Sequence, residues 1–552
     1  APCSPDSRRR PPASMLEASE AAGRHAPPHA APAAELHSGA SMARGLLEAT
    51  AAPDVEAPSG DGAVASCGAA GAKTASPSKH PRLASLDIVR GFTMAVMIFV
   101  DDVGSAYPPV NHSPWDNVTM ADFVMPWFLF MAGVSMSISL AKFKGARRDR
   151  MNGTHLVAVR SLKLFCLGVI LQGGGWIGNY SYGYNLSVIR VPGILQRIGF
   201  AFFVAALVDL WVPQVRISGG WSPHAAVFGR HSLQWLVAFT FVALHLALTF
   251  LTFVPSWTSK WGWNATASDS VLLQQPFEVK CDVRGSIDGP ACSAVGFFDR
   301  LLFGQDHLGA WMSTRLPECS SCAPGGPDPT FHPNCGVPAD APRWCYAHIY
   351  DPEGALASLP AMMTVMIGAH FGRLLGSDGI GRGVGLLAHW SLCALVLIVA
   401  GIALHVGGLP MNKQLWSTSY LLFTAGTCGA ALILTYLAVD NVRNGAAPPL
   451  RVRGCRLLLA PLEMMGMNAI LVFFWHGTAE ALLNAVYVAP PHAGGRFAAR
   501  GGLEGDQGWI YLHALSFIPD LVVRQIVYVL LKIACFAVAT WICYRKRYFW
   551  KI

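Results

Sequence analysis

Ten long apolar runs separated by polar turns constrain this chain more than any other feature. They lie near 86–104, 120–141, 156–173, 192–212, 233–254, 356–374, 385–405, 417–438, 457–476 and 522–543. A helix needs roughly 17–25 apolar residues to cross a bilayer, so the reading is an all-α polytopic membrane protein of about ten transmembrane helices. Composition agrees: 53% of the 552 residues are hydrophobic and only 13% charged, whereas soluble domains carry about 25% charged residues. Pro192 and Gly199 inside the fourth run are tolerable, because neighbouring helices re-satisfy the backbone.

Residues 1–80 are of another kind. They are rich in Ala, Pro, Gly and Ser and carry Arg8-Arg9-Arg10 near the start. Such a composition cannot bury enough surface to fold and predicts a disordered low-complexity tail. No apolar secretory core is visible in it, and the glutamates at 17, 20, 35 and 48 weaken any Arg-rich organelle address. The chain opens on Ala1 rather than Met, so a start further upstream is expected. Residues 81–552 are read as the transmembrane domain, with loop 255–355 inserted. The formal charge of +8 is small for this length and gives no reason to expect nucleic acid.

Charge placement sets the orientation. Five basic residues fall within Lys142–Arg150, Arg443, Arg451, Arg453 and Arg456 precede the ninth run, and Arg545-Lys546-Arg547 lie near the end. The positive-inside rule puts these clusters and both termini in the cytosol. The 104–119 turn, loop 172–190, loop 255–355, the turn near Lys413 and the loop after His476 then face the lumen. Six of 14 cysteines lie in that long loop: Cys281, Cys292, Cys319, Cys322, Cys335 and Cys345. An even set facing an oxidising lumen reads as a disulfide framework with 15 possible pairings. Zinc held by Cys319, Cys322, Cys335 and Cys345 is the alternative. Asn264 is a glycosylation acceptor in the same loop. Asn111, Asn117, Asn179 and Asn185 fit the pattern too but lie near the bilayer.

The chemistry concentrates at Asn111-His112-Ser113-Pro114-Trp115, between the first two runs. Asp101 and Asp102 end the first run and Asp122 opens the second. Ionisable groups at membrane depth are functional candidates by default. A histidine held there suits acid–base or acyl-transfer work; a loop histidine in plain water does nothing in particular.

Several collinear motifs carry a resemblance. They are Leu86-Asp87-Ile88-Val89-Arg90-Gly91-Phe92, Asn111–Trp115, Ala121-Asp122-Phe123-Val124-Met125-Pro126-Trp127-Phe128-Leu129-Phe130 and Val191-Pro192-Gly193-Ile194-Leu195-Gln196-Arg197. Gly296–Gly304, Tyr350-Asp351-Pro352-Glu353-Gly354, Asn412-Lys413-Gln414-Leu415-Trp416-Ser417 and Gly466-Met467-Asn468-Ala469 follow in the same order. From about Pro81 to the C-terminus the chain resembles the heparan-alpha-glucosaminide N-acetyltransferase family. The resemblance implies a multi-pass lysosomal or vacuolar membrane enzyme. It would move an acetyl group from cytosolic acetyl-CoA, as co-substrate and without a metal, to the amine of a lumenal amino sugar. It makes His112 the catalytic residue, either as acetyl acceptor or as general base in direct transfer. Animal members carry Asn where this chain has Asp101. The Asp101-Asp102 pair looks like the plant and algal branch, where heparan sulfate is not an expected acceptor.

A carboxylate at position 101 could orient His112 or merely cap the span. Asp87 and Arg90, spaced i,i+3, could pair with each other or line a CoA mouth. Gln196 and Arg197 lie inside a span and need partners, for which Asp122 is a candidate. Together with Asp102, Asn468 and His476 they are the expected supporting or substrate-binding groups, in a polar cavity. Asp299, Arg300, Asp306 and His307 are read mainly as folding the long loop. His245, His370 and His405 have no evident partner in the sequence and read as packing or helix-end residues. A homodimer suits the family and is common in symmetric assemblies. The competing classes are a proton-coupled transporter and a family member without catalysis.

Overall fold

In the computed structural model the described residues are 83–104, 107–172, 186–187, 189–217, 219–260, 276–309, 316, 319, 342–346, 349–375, 383–440, 450–476 and 514–550. The expected tail at 1–80, Asn264, Cys322 and Cys335 lie outside them. The helices are α1 (Ala84–Val103), α2 (Val124–Leu140), α3 (Arg147–Gln172), α4 (Ile194–Trp211), α5 (Pro223–Arg230) and α6 (Ser232–Leu251). They continue with α7 (Ala294–Phe303), α8 (Ser358–Leu374), α9 (Val384–Val406), α10 (Thr418–Val439), α11 (Leu450–Met467), α12 (Ala469–His476) and α13 (Leu521–Arg545).

All ten apolar runs fall on helices, and the protein is an all-α polytopic membrane protein. The expected count of ten is not reached by length and composition. Seven helices among the described residues are long and apolar enough to cross, and the bent pair of α11 and α12 makes up to eight. α1 carries four charged residues, Asp87, Arg90, Asp101 and Asp102, and α8 is only 17 residues long. α1 and α8 are nevertheless largely buried by other helices, so their surfaces need not match lipid. α3, α6, α9 and α13 are the reverse: Leu392, Leu395, Val396 and Val399 of α9 are all exposed, as a lipid-facing surface is.

Close packing is set by small residues. A Cβ on Gly133 of α2 would stand 1.9 Å from the Val365 carbonyl oxygen of α8, and one on Gly368 of α8 2.0 Å from that of Phe130. Gly91 of α1 and Gly466 of α11 meet as tightly, at 1.8 Å from Leu462 and Asp87 carbonyl oxygens. In lipid, helix association rests on this kind of contact rather than on hydrophobic burial. The α11–α12 pair bends by 72° between Met467 and Ala469.

The 255–355 segment packs against Trp115 and Leu415 as a second apolar cluster. Two short antiparallel pairings shape its start, Phe253–Val254 just before it with Val283–Arg284, and Trp257–Ser259 with Phe277–Val279. Disulfides close Cys281–Cys292 and Cys319–Cys345. This gives partners to four of the six loop cysteines and takes Cys319 and Cys345 out of any zinc set.

Candidate active site

The 104–119 turn is fixed by its own side chains. Asn111 donates from Nδ2 to the Gly104 carbonyl at 3.1 Å and accepts the His112 main-chain N–H at 2.7 Å. Trp115 donates to the Ile287 carbonyl at 2.7 Å and meets Tyr350 edge-on. Thr119 caps the turn that starts α2, in a reciprocal capping box with Asp122.

Asp122 is the centre of this arrangement. It is fully buried, and its Oδ2 accepts from Ser113 N (3.1 Å), Thr119 N (3.0 Å) and Thr119 Oγ1 (3.0 Å). Its Oδ1 lies 2.7 Å from Nδ1 of His112. A carboxylate that accepts only from donors selects the Nδ1–H form of the imidazole, which makes Nε2 the accepting nitrogen of the ring. The His112 side chain keeps 18% of its surface open. Lys413 closes the group from a distant part of the chain: its Nζ stands 3.1 Å from Nδ1 and 3.3 Å from Nε2 of His112, and 4.0 Å from Asp122 Oδ1.

The turn bearing Lys413 is held to the turn bearing His112. Asn412 pairs with Asp116, and Gln414 donates to the Ser113 and Pro114 carbonyls. Tyr420 donates to the Asp122 carbonyl at 2.6 Å. Trp416 sits in the left-handed region at φ 49° and is fully buried, with the Arg197 guanidinium 5.1 Å over its ring. A non-glycine residue held there costs of order 1–3 kcal/mol and persists because its surroundings over-determine it.

Asp122, then, is the carboxylate that orients His112. Asp101, expected to do so, is 45% exposed and lies 3.7 Å from Nε2 of His476. Asp102 pairs with Lys532 of α13 at 2.8 Å and with His476 at 3.8 Å. Those four residues form a separate charged group where α1, α12 and α13 meet. The capping box with Thr119 turns Asp122 back onto the His112 turn, whereas Asp101 and Asp102 stay at the end of α1 and face α12 and α13. Asp122 is likewise no partner for Arg197, which donates to the Gly354 carbonyl at 2.9 Å. Gln196 donates to the Val191 carbonyl. Gln196 and Arg197 do line a cavity of about 410 Å³, but its walls are mainly apolar, with Phe165, Phe200 and Phe298 among them. Asn468 accepts the Trp550 main-chain N–H. Arg90 binds Asp87 at 3.0 Å and Ser135 at 2.9 Å, tying α1 to α2.

Sequence reasoning singled out neither Lys413 nor Arg190. The signal for Lys413 was a lysine in the short turn between two apolar runs, within the Asn412–Ser417 motif. Arg190 donates to both oxygens of Asp351 (2.8 and 2.7 Å) and to Glu353 (2.6 Å) beneath the 255–355 segment. Asp299 completes that network by accepting from Asp351 N and Ala355 N. Arg300 donates to the Ile349 carbonyl, Asp306 pairs with Lys260, and His307 bonds the Ile189 carbonyl. All four loop residues therefore hold the loop together, as expected.

Asp299 gives this segment a pH dependence. Burial, and then the like charge of Asp351, push its carboxyl up to about 7, against about 3.9 in an unfolded chain. The folded state binds that proton more tightly, so the stability it adds is full below about pH 4 and is lost as pH rises through about 7. Asp351 does not cancel this. Burial opposes its ionisation, but the Arg190 guanidinium outweighs burial and holds it below the ordinary value, so its stabilisation is lost only at lower pH. The Asp299 difference corresponds to on the order of 4 kcal/mol at most. Unfolding midpoints of the detergent-solubilised protein should fall from pH 5 to pH 8, and Asp299→Asn should flatten that slope. An equal slope in both proteins would refute the assignment.

The fold is that of a polytopic membrane protein, and the carboxylate, histidine and lysine gathered at one end are its candidate acid–base site. The family model for the catalytic region of heparan-alpha-glucosaminide N-acetyltransferase matches residues 82–257, which include His112 and Asp122. The mouse protein of that name is 27% identical over 491 residues, covering 86% of this chain and 61% of the relative. The human protein is 26% identical over 484 residues, covering 86% and 60%. The chain is similar to heparan-alpha-glucosaminide N-acetyltransferases and spans about three fifths of the length of these relatives.

Proposed function

We propose that the protein is a membrane N-acetyltransferase that uses acetyl-CoA as co-substrate and acetylates the amine of a lumenal amino sugar. The observation that carries this reading is the His112–Asp122 pair at 2.7 Å with Lys413 beside the ring. Nε2 of His112 takes a proton from the sugar ammonium, and the freed amine attacks the thioester carbonyl. His112 passes that first proton to solvent; as the C–N bond forms and the C–S bond breaks, it takes the second proton from the acylated nitrogen and gives it to the departing thiolate, leaving the amide and the free thiol. Lys413 Nζ faces the carbonyl oxygen as it gains charge, where a fixed cation stabilises the transition state most. Asp122 keeps the ring in one tautomer and offsets its positive charge. Acetyl-His112 as an intermediate is the other route open to the same residues. We favour direct transfer, which needs no separate step for CoA to leave.

The remaining roles follow the same reading. Asp101, with His476, is an exposed carboxylate suited to draw an ammonium toward the site. Arg90, held by Asp87 near the other end of α1, meets CoA phosphate; Arg90 and Asp101 are eleven residues apart, about 17 Å along a helix. Both termini face the cytosol, the membrane is lysosomal or vacuolar, and the protein is a homodimer.

The test is thiol release from purified protein given acetyl-CoA and glucosamine. Release that depends on the amine supports the enzyme. Solute movement without thiol release would instead support a transporter. Asp101→Asn should change turnover little. An exposed ion pair is worth about 1 kcal/mol or less, roughly fivefold in rate. A loss as large as that of a His112 variant would make Asp101 a partner in the chemistry.

A further inference from the structure

A second cluster of chemistry-bearing side chains lies far from His112. His370 of α8 and His389 and Cys393 of α9 offer three donor atoms within 4.8 Å of one another. His370 and His389 are buried, at 2% and 6% exposure, and Cys393 is half-buried and not disulfide-bonded. The site is near the start of α9, whereas Lys413 follows its end. The seventeen residues from His389 to Val406 separate the two by roughly 25 Å.

The geometry is that of a ligand set. Nε2 of His370 and Nε2 of His389 stand 3.2 Å apart. Tetrahedral zinc with bonds near 2.0–2.1 Å sets its nitrogen ligands about 3.3 Å apart. His389 and Cys393 are spaced i,i+4, so they share one face of α9 and both reach toward α8. The other nitrogen of His389, Nδ1, meets Nδ1 of His224 on α5 at 2.9 Å. When His389 donates there, its Nε2 is left with a lone pair and its ring is oriented, as outer partners of metal-bound histidines do. Phe228 lies 4.2 Å from the His370 ring and 5.4 Å from that of His389, and covers the pair. A plain hydrogen-bonded chain of neutral rings uses these contacts less well. It places one proton between the two Nε2 atoms and gives Cys393 no task.

We propose that His370 Nε2, His389 Nε2 and Cys393 Sγ bind one zinc ion, with water in the fourth position and His224 as the outer partner of His389. Two nitrogens and a thiolate suit zinc among the first-row ions. The ion releases the thiol proton on binding and fastens α8 to α9 at the end of the bundle away from His112.

The experiment uses full-length detergent-solubilised protein without a polyhistidine tag, stripped with chelator, reloaded with zinc and desalted. One zinc per chain is expected by elemental analysis. His370→Gln and Cys393→Ser should each weaken retention at least tenfold, and His224→Gln by 10–100-fold. Cobalt in place of zinc should give tetrahedral visible bands and a near-ultraviolet thiolate band. The thiolate band should vanish in Cys393→Ser and persist in Cys428→Ser. Folded wild-type protein that retains no zinc, or lacks the cobalt–thiolate band, overturns the proposal without recourse to any variant. So does a thiolate band that survives Cys393→Ser.

Discussion

His112→Ala is expected to lower amine-dependent thiol release by about 10²- to 10⁴-fold, the usual contribution of a positioned acid–base group. The fold should survive the change. The His112 side chain is partly open, and its removal leaves Asp122 with its three bonds from Ser113 and Thr119. Size-exclusion behaviour and unfolding midpoint should therefore match wild type. His112→Gln does not separate the two chemical routes. A glutamine cannot accept an acetyl group productively or take a proton at neutral pH, so a residual rate equal to that of alanine fits either route. Isolation of a hydroxylamine-sensitive acetyl-enzyme from wild type, absent in His112→Ala, would establish the two-step route over the direct transfer favoured here. Wild-type turnover in His112→Ala would remove the site altogether.

The second large effect belongs to Asp122, and its two substitutions should fail differently. Asp122→Asn keeps the volume but puts an amide NH₂ among groups that all donate. If its oxygen faces Ser113 and Thr119, its NH₂ faces His112 Nδ1 and selects the wrong tautomer. In triad enzymes the matching change costs about 10⁴ in turnover, and a loss of about 10²–10⁴ is expected here, with little change in the KM for acetyl-CoA. Asp122→Ala also removes the acceptor for two main-chain N–H groups in a fully buried place. Each unsatisfied donor costs about 1–3 kcal/mol, and Lys413 loses its nearby counter-charge. That variant should be markedly destabilised, measured as a fall in unfolding midpoint. An Asp122→Asn protein that turns over normally would show that His112 acts without an oriented ring.

The helices were legible because a span is a local property: length and apolarity suffice, and all ten runs are helical. Crossing is another matter, since α1 and α8 are wrapped by neighbours that no single segment announces. His112 was legible from its place between two spans. Its partner was not chosen correctly, because Asp101, Asp102 and Asp122 look alike in sequence and differ only in where the turn folds back. Asp122 is selected by Thr119, three residues before it, through a capping box that could have been read as a cue. Lys413 was out of reach for a simpler reason: 301 residues separate it from His112. The His370–His389–Cys393 group shows the same limit. The i,i+4 half was visible on α9, but the third donor comes from another helix, and His370 alone reads as packing.

The distance in sequence between His112 and Lys413 bears on how the protein is made. Ribosomes add about 5–20 residues per second, so the 301 residues between them take roughly 15–60 s to synthesise. Throughout that interval the nascent chain holds the histidine and its carboxylate but not the cation. Lys413 follows α9 and precedes α10 in the chain, so on the proposed mechanism the site is completed late in synthesis. On the proposed reading, a ribosome that stalls before this point leaves a fragment that has the histidine and its carboxylate but lacks the cation of the site.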